Sequence, residues 1–75
     1  MRWQSCASVN LKAPNGDTLG IILETNGQSW KLFARFKKLG LSSVDSNPEW
    51  YPTIRQGKEA HAAKVAEAKA QGWEE

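Results

Sequence analysis

Residues 29–38, SWKLFARFKK, decide how this chain folds. Side chains alternate along a β-strand, so the stretch puts Trp30, Leu32, Ala34 and Phe36 on one face. Lys31, Phe33, Arg35 and Lys37 fall on the other. The first set is a core face. The second is three cations around an aromatic ring, which is more than solubility alone requires, and it points to an anionic partner.

The pattern extends upstream. Trp3, Ser5, Ala7, Val9 and Leu11 alternate with Arg2, Gln4, Cys6, Ser8 and Asn10, as in a half-buried strand. Pro14-Asn15-Gly16-Asp17 is a turn, because proline presets one dihedral and Asn-Gly accepts positive φ. Residues 18–25 form a second strand with Leu19, Ile21 and Leu23 on one face. Asn26-Gly27 then predicts a hairpin with a mirror-image turn. Residues 1–38 are thus a three-stranded antiparallel meander. Its core face carries Trp3, Val9, Leu11, Leu19, Ile21, Leu23, Trp30, Leu32 and Phe36.

Downstream, Gly40, Ser42, Ser43, Ser46, Asn47 and Pro48 punctuate residues 39–53, read as a loop. Ser46 with Glu49 is spaced to cap one helical turn, and Tyr51-Pro52 admits a cis bond. Trp50 and Tyr51 pin the loop to the core. Thr53 with Gln56 matches a capping box, opening a helix over 54–71. Alanine, the best helix former, dominates it. Ile54, Gly57, His61, Val65 and Ala68 share one narrow stripe of small residues, which fits a helix lying close on a sheet. Gly72 caps the helix, Trp73 folds back over its end, and Glu74-Glu75 form a frayed tail over 72–75. The fold class is α+β: one domain, 1–75, in the order β-β-β-α.

A chain of 75 residues buries only about 60% of its unfolded surface, so each large apolar side chain matters. Trp3, Trp30, Trp50 and Trp73 are expected to supply the bulk of the core. With 40% hydrophobic and 24% charged residues, wholesale disorder is not expected. Residues 1–40 hold Arg2, Lys12, Lys31, Arg35, Lys37 and Lys38 against Asp17 and Glu24. The remainder is acidic, so the charge is polarised along the chain. A single cysteine, Cys6, cannot form an internal disulfide, and neither a signal peptide nor a membrane-length apolar run is evident. These features lead to the expectation of a cytoplasmic protein.

Chemistry is sparse. Cys6 and His61 are the one candidate nucleophile–base pair, and the alternation puts them on opposite sides of the sheet. One Cys and one His cannot supply a usual soft metal-ligand set, and no glycine motif precedes a helix to cradle phosphate. The expectation is therefore no enzyme, no cofactor and no metal. His61 reads as a seam histidine bonded to backbone or solvent, and Cys6 as a small filler. The functional candidate is the outer sheet face. Lys31, Arg35 and Lys37, flanked by Arg2 and Lys12, would contact phosphates, and an exposed Phe33 would give an apolar or stacking contact. Gln4 and Asn10 have the chemistry to read adenine edges. Glu24 on the same face opposes phosphate, and charged alternate positions also occur on any solvated strand.

The Asn26-Gly27 hairpin, the aromatic strand around Trp30, the Tyr51-Pro52-Thr53 entry and the alanine-rich helix from Ile54 resemble the arm-type DNA-binding domain of phage tyrosine integrases. The resemblance covers most of 18–70 and departs in the long 39–52 segment. It implies a sheet backed by one helix, with the sheet entering the major groove of DNA. A domain of this size also resembles small accessory proteins of phages and mobile elements, many of which bind and inhibit a host protein. Two partner classes therefore stand open. One is nucleic acid on the sheet face. The other is a host protein on the aromatic loop, through Trp50 and Tyr51, or on the helix surface. A homodimer is compatible with either.

Overall fold

A computed structural model describes residues 2–75. The elements are β1 (Gln4–Lys12), β2 (Thr18–Thr25), β3 (Trp30–Lys37), β4 (Ser43–Asp45), β5 (Glu49–Tyr51) and α1 (Ile54–Ala70). β1, β2 and β3 form the expected antiparallel meander, and α1 packs on one of its faces, giving an α+β fold.

Residues 39–53 are more than a loop. β4 pairs with the Arg35–Lys37 end of β3, and β5 pairs with its Trp30–Leu32 end. Between them Ser46 completes the edge of β3. Its Oγ accepts a hydrogen bond from the Ala34 amide at 2.9 Å, and its own amide donates to the Ala34 carbonyl at 2.8 Å. Ser46 therefore satisfies a strand and caps no helical turn. The Tyr51–Pro52 bond is trans.

β1 and β2 keep one register from Lys12↔Thr18 to Ala7↔Leu23, and a bulge follows between Ser5 and Ala7. The extra residue, Cys6, inverts the alternation upstream of it. Ser5 consequently pairs with Glu24 and Gln4 with Thr25. Trp3 moves to the face away from the helix, while Cys6 packs against the core. Both reverse the strict alternation expected from sequence. Ser5, Cys6, Ala7 and Ser8 are all small, so no contrast in hydrophobicity fixes the register there.

The β2–β3 connection also departs from the mirror-image turn. Thr25 pairs with Trp30, leaving a four-residue loop in which only Gly27 has positive φ. Asn26 keeps an ordinary backbone, and its Oδ1 accepts from the Gln28 and Ser29 amides, both at 2.9 Å. At the opposite end, buried Asp17 ties three segments. Its Oδ1 accepts from the Leu39 amide at 3.0 Å, and its Oδ2 accepts from the Asn15 side chain at 3.1 Å.

The core centres on fully buried Leu11, Leu23 and Leu32, with Ile21 and Ala68. Only Trp30 and Trp73 of the four tryptophans pack against it. Gly57 lets the helix approach as expected: a Cβ there would lie 3.1 Å from Leu23 Cδ1. His61 is buried, with Nε2 2.9 Å from the Ile21 carbonyl. A carbonyl only accepts, so this nitrogen carries the proton. The Thr53 hydroxyl accepts from the Gln56 amide at 3.2 Å, capping α1.

Gly72, at φ 106°, terminates α1. The Gly72 and Trp73 amides donate to the Lys69 and Ala68 carbonyls, both at 3.1 Å, the paired bonds of a left-handed helix stop. Trp73 then meets Phe36 edge-on at 6.0 Å. Glu74 is tied rather than frayed. It exchanges two backbone hydrogen bonds with Lys12, at 2.6 and 2.9 Å, and extends the sheet past β1.

Candidate site on the open face of the sheet

The shortest extent of the fold is 17 Å, room for one sheet and one helix. The outer sheet face therefore has no second layer over it. Register places Lys31, Phe33, Arg35 and Lys37 there from β3, and Thr18, Gly20, Ile22 and Glu24 from β2. β1 adds Ser8, Asn10 and Lys12. Arg2 and Gln4 leave this face because of the bulge, and they line a separate small depression beside Asn26 and Gly27. Trp50 pairs with Lys31 and joins the outer face, whereas Tyr51 pairs with Trp30 and packs on the core. The two aromatics expected to act together thus point to opposite sides of the sheet.

Three zones follow one another along β3. The first is aromatic. Trp3 and Trp50 lie 5.7 Å apart, tilted by 58°. Lys31 Nζ sits 4.3 Å above the Trp3 ring and 3.5 Å from a Glu24 oxygen. Trp50 is 57% exposed and Trp3 37%.

The second zone is the middle of the sheet. Phe33, expected to be exposed, is only 8% so. Lys31 and Arg35 flank its ring at 5.8 and 5.6 Å, and it forms part of a notch of about 200 Å³ with Ser46 and Pro48. Arg35 donates two hydrogen bonds to Asp45, from Nε at 2.8 Å and from Nη2 at 3.2 Å. These hydrogen bonds hold the Asp45 carboxyl below the usual carboxylate range and raise the Arg35 pKa still further.

The third zone is basic. Lys12, Thr18 and Lys37 stand side by side across β1, β2 and β3. Among the described residues neither lysine has an ion-pair partner. They adjoin a shallow depression of about 320 Å³, lined by Ser8, Asn10, Gly20, Arg35 and Lys37 among others. A Cβ at Gly20 would come 3.3 Å from Asn10 Oδ1, so this glycine keeps the floor low.

Sequence reasoning missed Trp3, hidden by the bulge, and Asp45, whose partner is ten residues away across a strand pair with no local signature. Among the described residues no group of three His, Cys, Asp or Glu side chains could hold a metal ion, and no helix is long and apolar enough to cross a membrane. Comparison with protein-family models, with curated proteins and with solved structures finds no match to this chain.

Proposed function

We propose that the chain is a non-enzymatic module that binds nucleic acid, DNA in the first instance, through the outer face of its sheet. The observation that carries this reading is the Lys12–Thr18–Lys37 row, a hydroxyl between two amines that have no ion-pair partner among the described residues, beside a shallow depression. Amines bind phosphates as point charges, and hydroxyl and amide groups around them add hydrogen bonds. The face as a whole carries Lys12, Lys31, Arg35 and Lys37 against Glu24, Asp45 and Glu74, the last opposite Lys12, so it keeps a net positive charge. Arg35 is held by Asp45 and Lys31 by Glu24, which makes Lys12 and Lys37 the first phosphate contacts. The resemblance to the integrase arm-type domain points the same way.

The test is binding to random-sequence DNA across a salt series. Replacing Lys12 and Lys37 by alanine should flatten the dependence of log affinity on log salt by about 0.7–0.9 per lysine removed. Absence of binding by the unaltered protein at low salt refutes the reading.

A second reading, an inhibitor or adaptor that binds a host protein, has one observation in its favour. Phe36 and Val44 pair on the helix side of the β3–β4 edge, and both are exposed. An apolar pair at an open edge suits a protein partner better than a polyanion. A complex that survives nuclease and is lost on Val44→Glu, while salt-dependent DNA binding is absent, favours this reading.

A further inference from the structure

We propose that the outer face takes single-stranded rather than duplex nucleic acid, with unpaired bases stacking on Trp50 and Trp3 and the backbone running along β3 toward Lys37 and Lys12. This inference rests on the nucleic-acid reading and narrows it.

The aromatic zone is the first reason. A small fold gains much from each buried tryptophan, yet two of the four here stand on the face away from the helix. The bulge at Cys6 is what brings Trp3 there. Because the two rings are tilted by 58°, they form no parallel slot, and a base would lie on the outward side of a ring rather than between them. Lys31 already covers one side of Trp3, which leaves Trp50 as the main platform. Bases offer such a ring their π-faces only when they are unpaired.

The groups able to read a groove are the second reason. A β-ribbon in the major groove must present free side-chain ends to base edges. Here Arg35 is clamped by Asp45, Lys31 leans on Trp3 and Glu24, and Phe33 is covered. What projects is aromatic at one end and amine at the other. A duplex also packs about twice the phosphate charge of one strand into a given length. Glu24 and Asp45, both on this face, disfavour that density more than they disfavour a single strand.

The dimensions agree. From Lys31 to Lys37 is six residue steps along the strand, roughly 20 Å. That length suits about four nucleotides, the lower end of known single-strand site sizes.

The experiment compares oligothymidylate with a mixed-sequence duplex of equal length, by anisotropy of a dye-labelled strand at low salt. The single strand is expected to bind at least about ten-fold more tightly. Trp50→Ala should weaken it a further ten-fold or so and leave the salt slope unchanged, whereas Trp50→Phe should retain most of the affinity. Thermal melts of both variants confirm folding, which the exposure of Trp50 favours. Equal or tighter duplex binding, or a Trp50→Ala variant that binds as before, overturns the inference and leaves the nucleic-acid reading standing. Failure to bind either polymer removes both.

Discussion

Two aspartates show how one residue type takes different work from its surroundings. Asp17 is buried and holds the exit of β3 to the first hairpin through the Leu39 amide and the Asn15 side chain. Asp45 is exposed and holds one arginine. Its lowered pKa means that the contribution of the Arg35–Asp45 pair is present above the ordinary carboxylate pKa and is lost as pH falls through the lower folded value. For so exposed a pair the effect on stability is small. The effect on binding is not, because Asp45 occupies the guanidinium that a phosphate would otherwise take. Asp45→Asn should therefore leave the melting temperature nearly unchanged, tighten DNA binding, and steepen the salt dependence by the equivalent of about one more phosphate contact. A salt titration of the variant beside the parent decides it. An unchanged slope would mean that Arg35 stays out of the interface even when released.

At the scale of elements, α1 and the sheet meet through the absence of a side chain. Alanine at Gly57 would gain about 0.8–1 kcal/mol of helix propensity. The new methyl group, however, would lie 3.1 Å from Leu23 Cδ1 and 3.4 Å from Trp30 Cβ, and overpacking of that kind costs about 1–3 kcal/mol. Gly57→Ala should be net destabilising by on the order of 1 kcal/mol, seen as a melting temperature lower by roughly 4–8 °C. A rise instead would show that α1 can lift off the sheet freely. This seam was legible in the sequence, since Gly57, His61 and Ala68 recur at helical spacing in a run with strong helix propensity. The three long strands were legible from apolar residues at alternate positions, such as Leu19, Ile21 and Leu23, bounded by the turn signals Asn15-Gly16 and Asn26-Gly27. The bulge was not, because Ser5 through Ala7 offer no such contrast. β4 and β5 were hidden for another reason. Three residues each, they exist only by borrowing the edge of β3, and Ser46 bridges them with its hydroxyl and its backbone amide, both on Ala34. In the candidate site, Lys31, Arg35 and Lys37 were placed by periodicity. The clamping of Arg35 and the covering of Phe33 depend on partners brought in by β4 and the segment after it.

The last three residues matter to the whole molecule out of proportion to their number. Trp73 stands edge-on to Phe36 and packs on the core, and Glu74 completes the sheet beyond Lys12. Together they join the end of the chain to both β3 and β1. The rest of the outer edge of β1 is uncharged from Gln4 to Leu11, an edge that the Cys6 bulge interrupts but no lysine or proline guards. Removing residues 73–75 should cost about 2–3 kcal/mol, from a half-buried tryptophan and two backbone hydrogen bonds. In a domain of this size that is a fall of roughly 10–20 °C in melting temperature. The truncation would also bare Phe36 further and lengthen the open edge of β1, so sedimentation at rising concentration should show more self-association than the intact chain does. Binding at the outer face should persist well below the new melting temperature, because the tail contributes to that face only the carboxylate of Glu74, which stands opposite Lys12 and opposes phosphate. An unchanged melting temperature would show that the fold closes without its last three residues. Loss of binding at a temperature where the truncated chain is folded would instead place the tail in the interface.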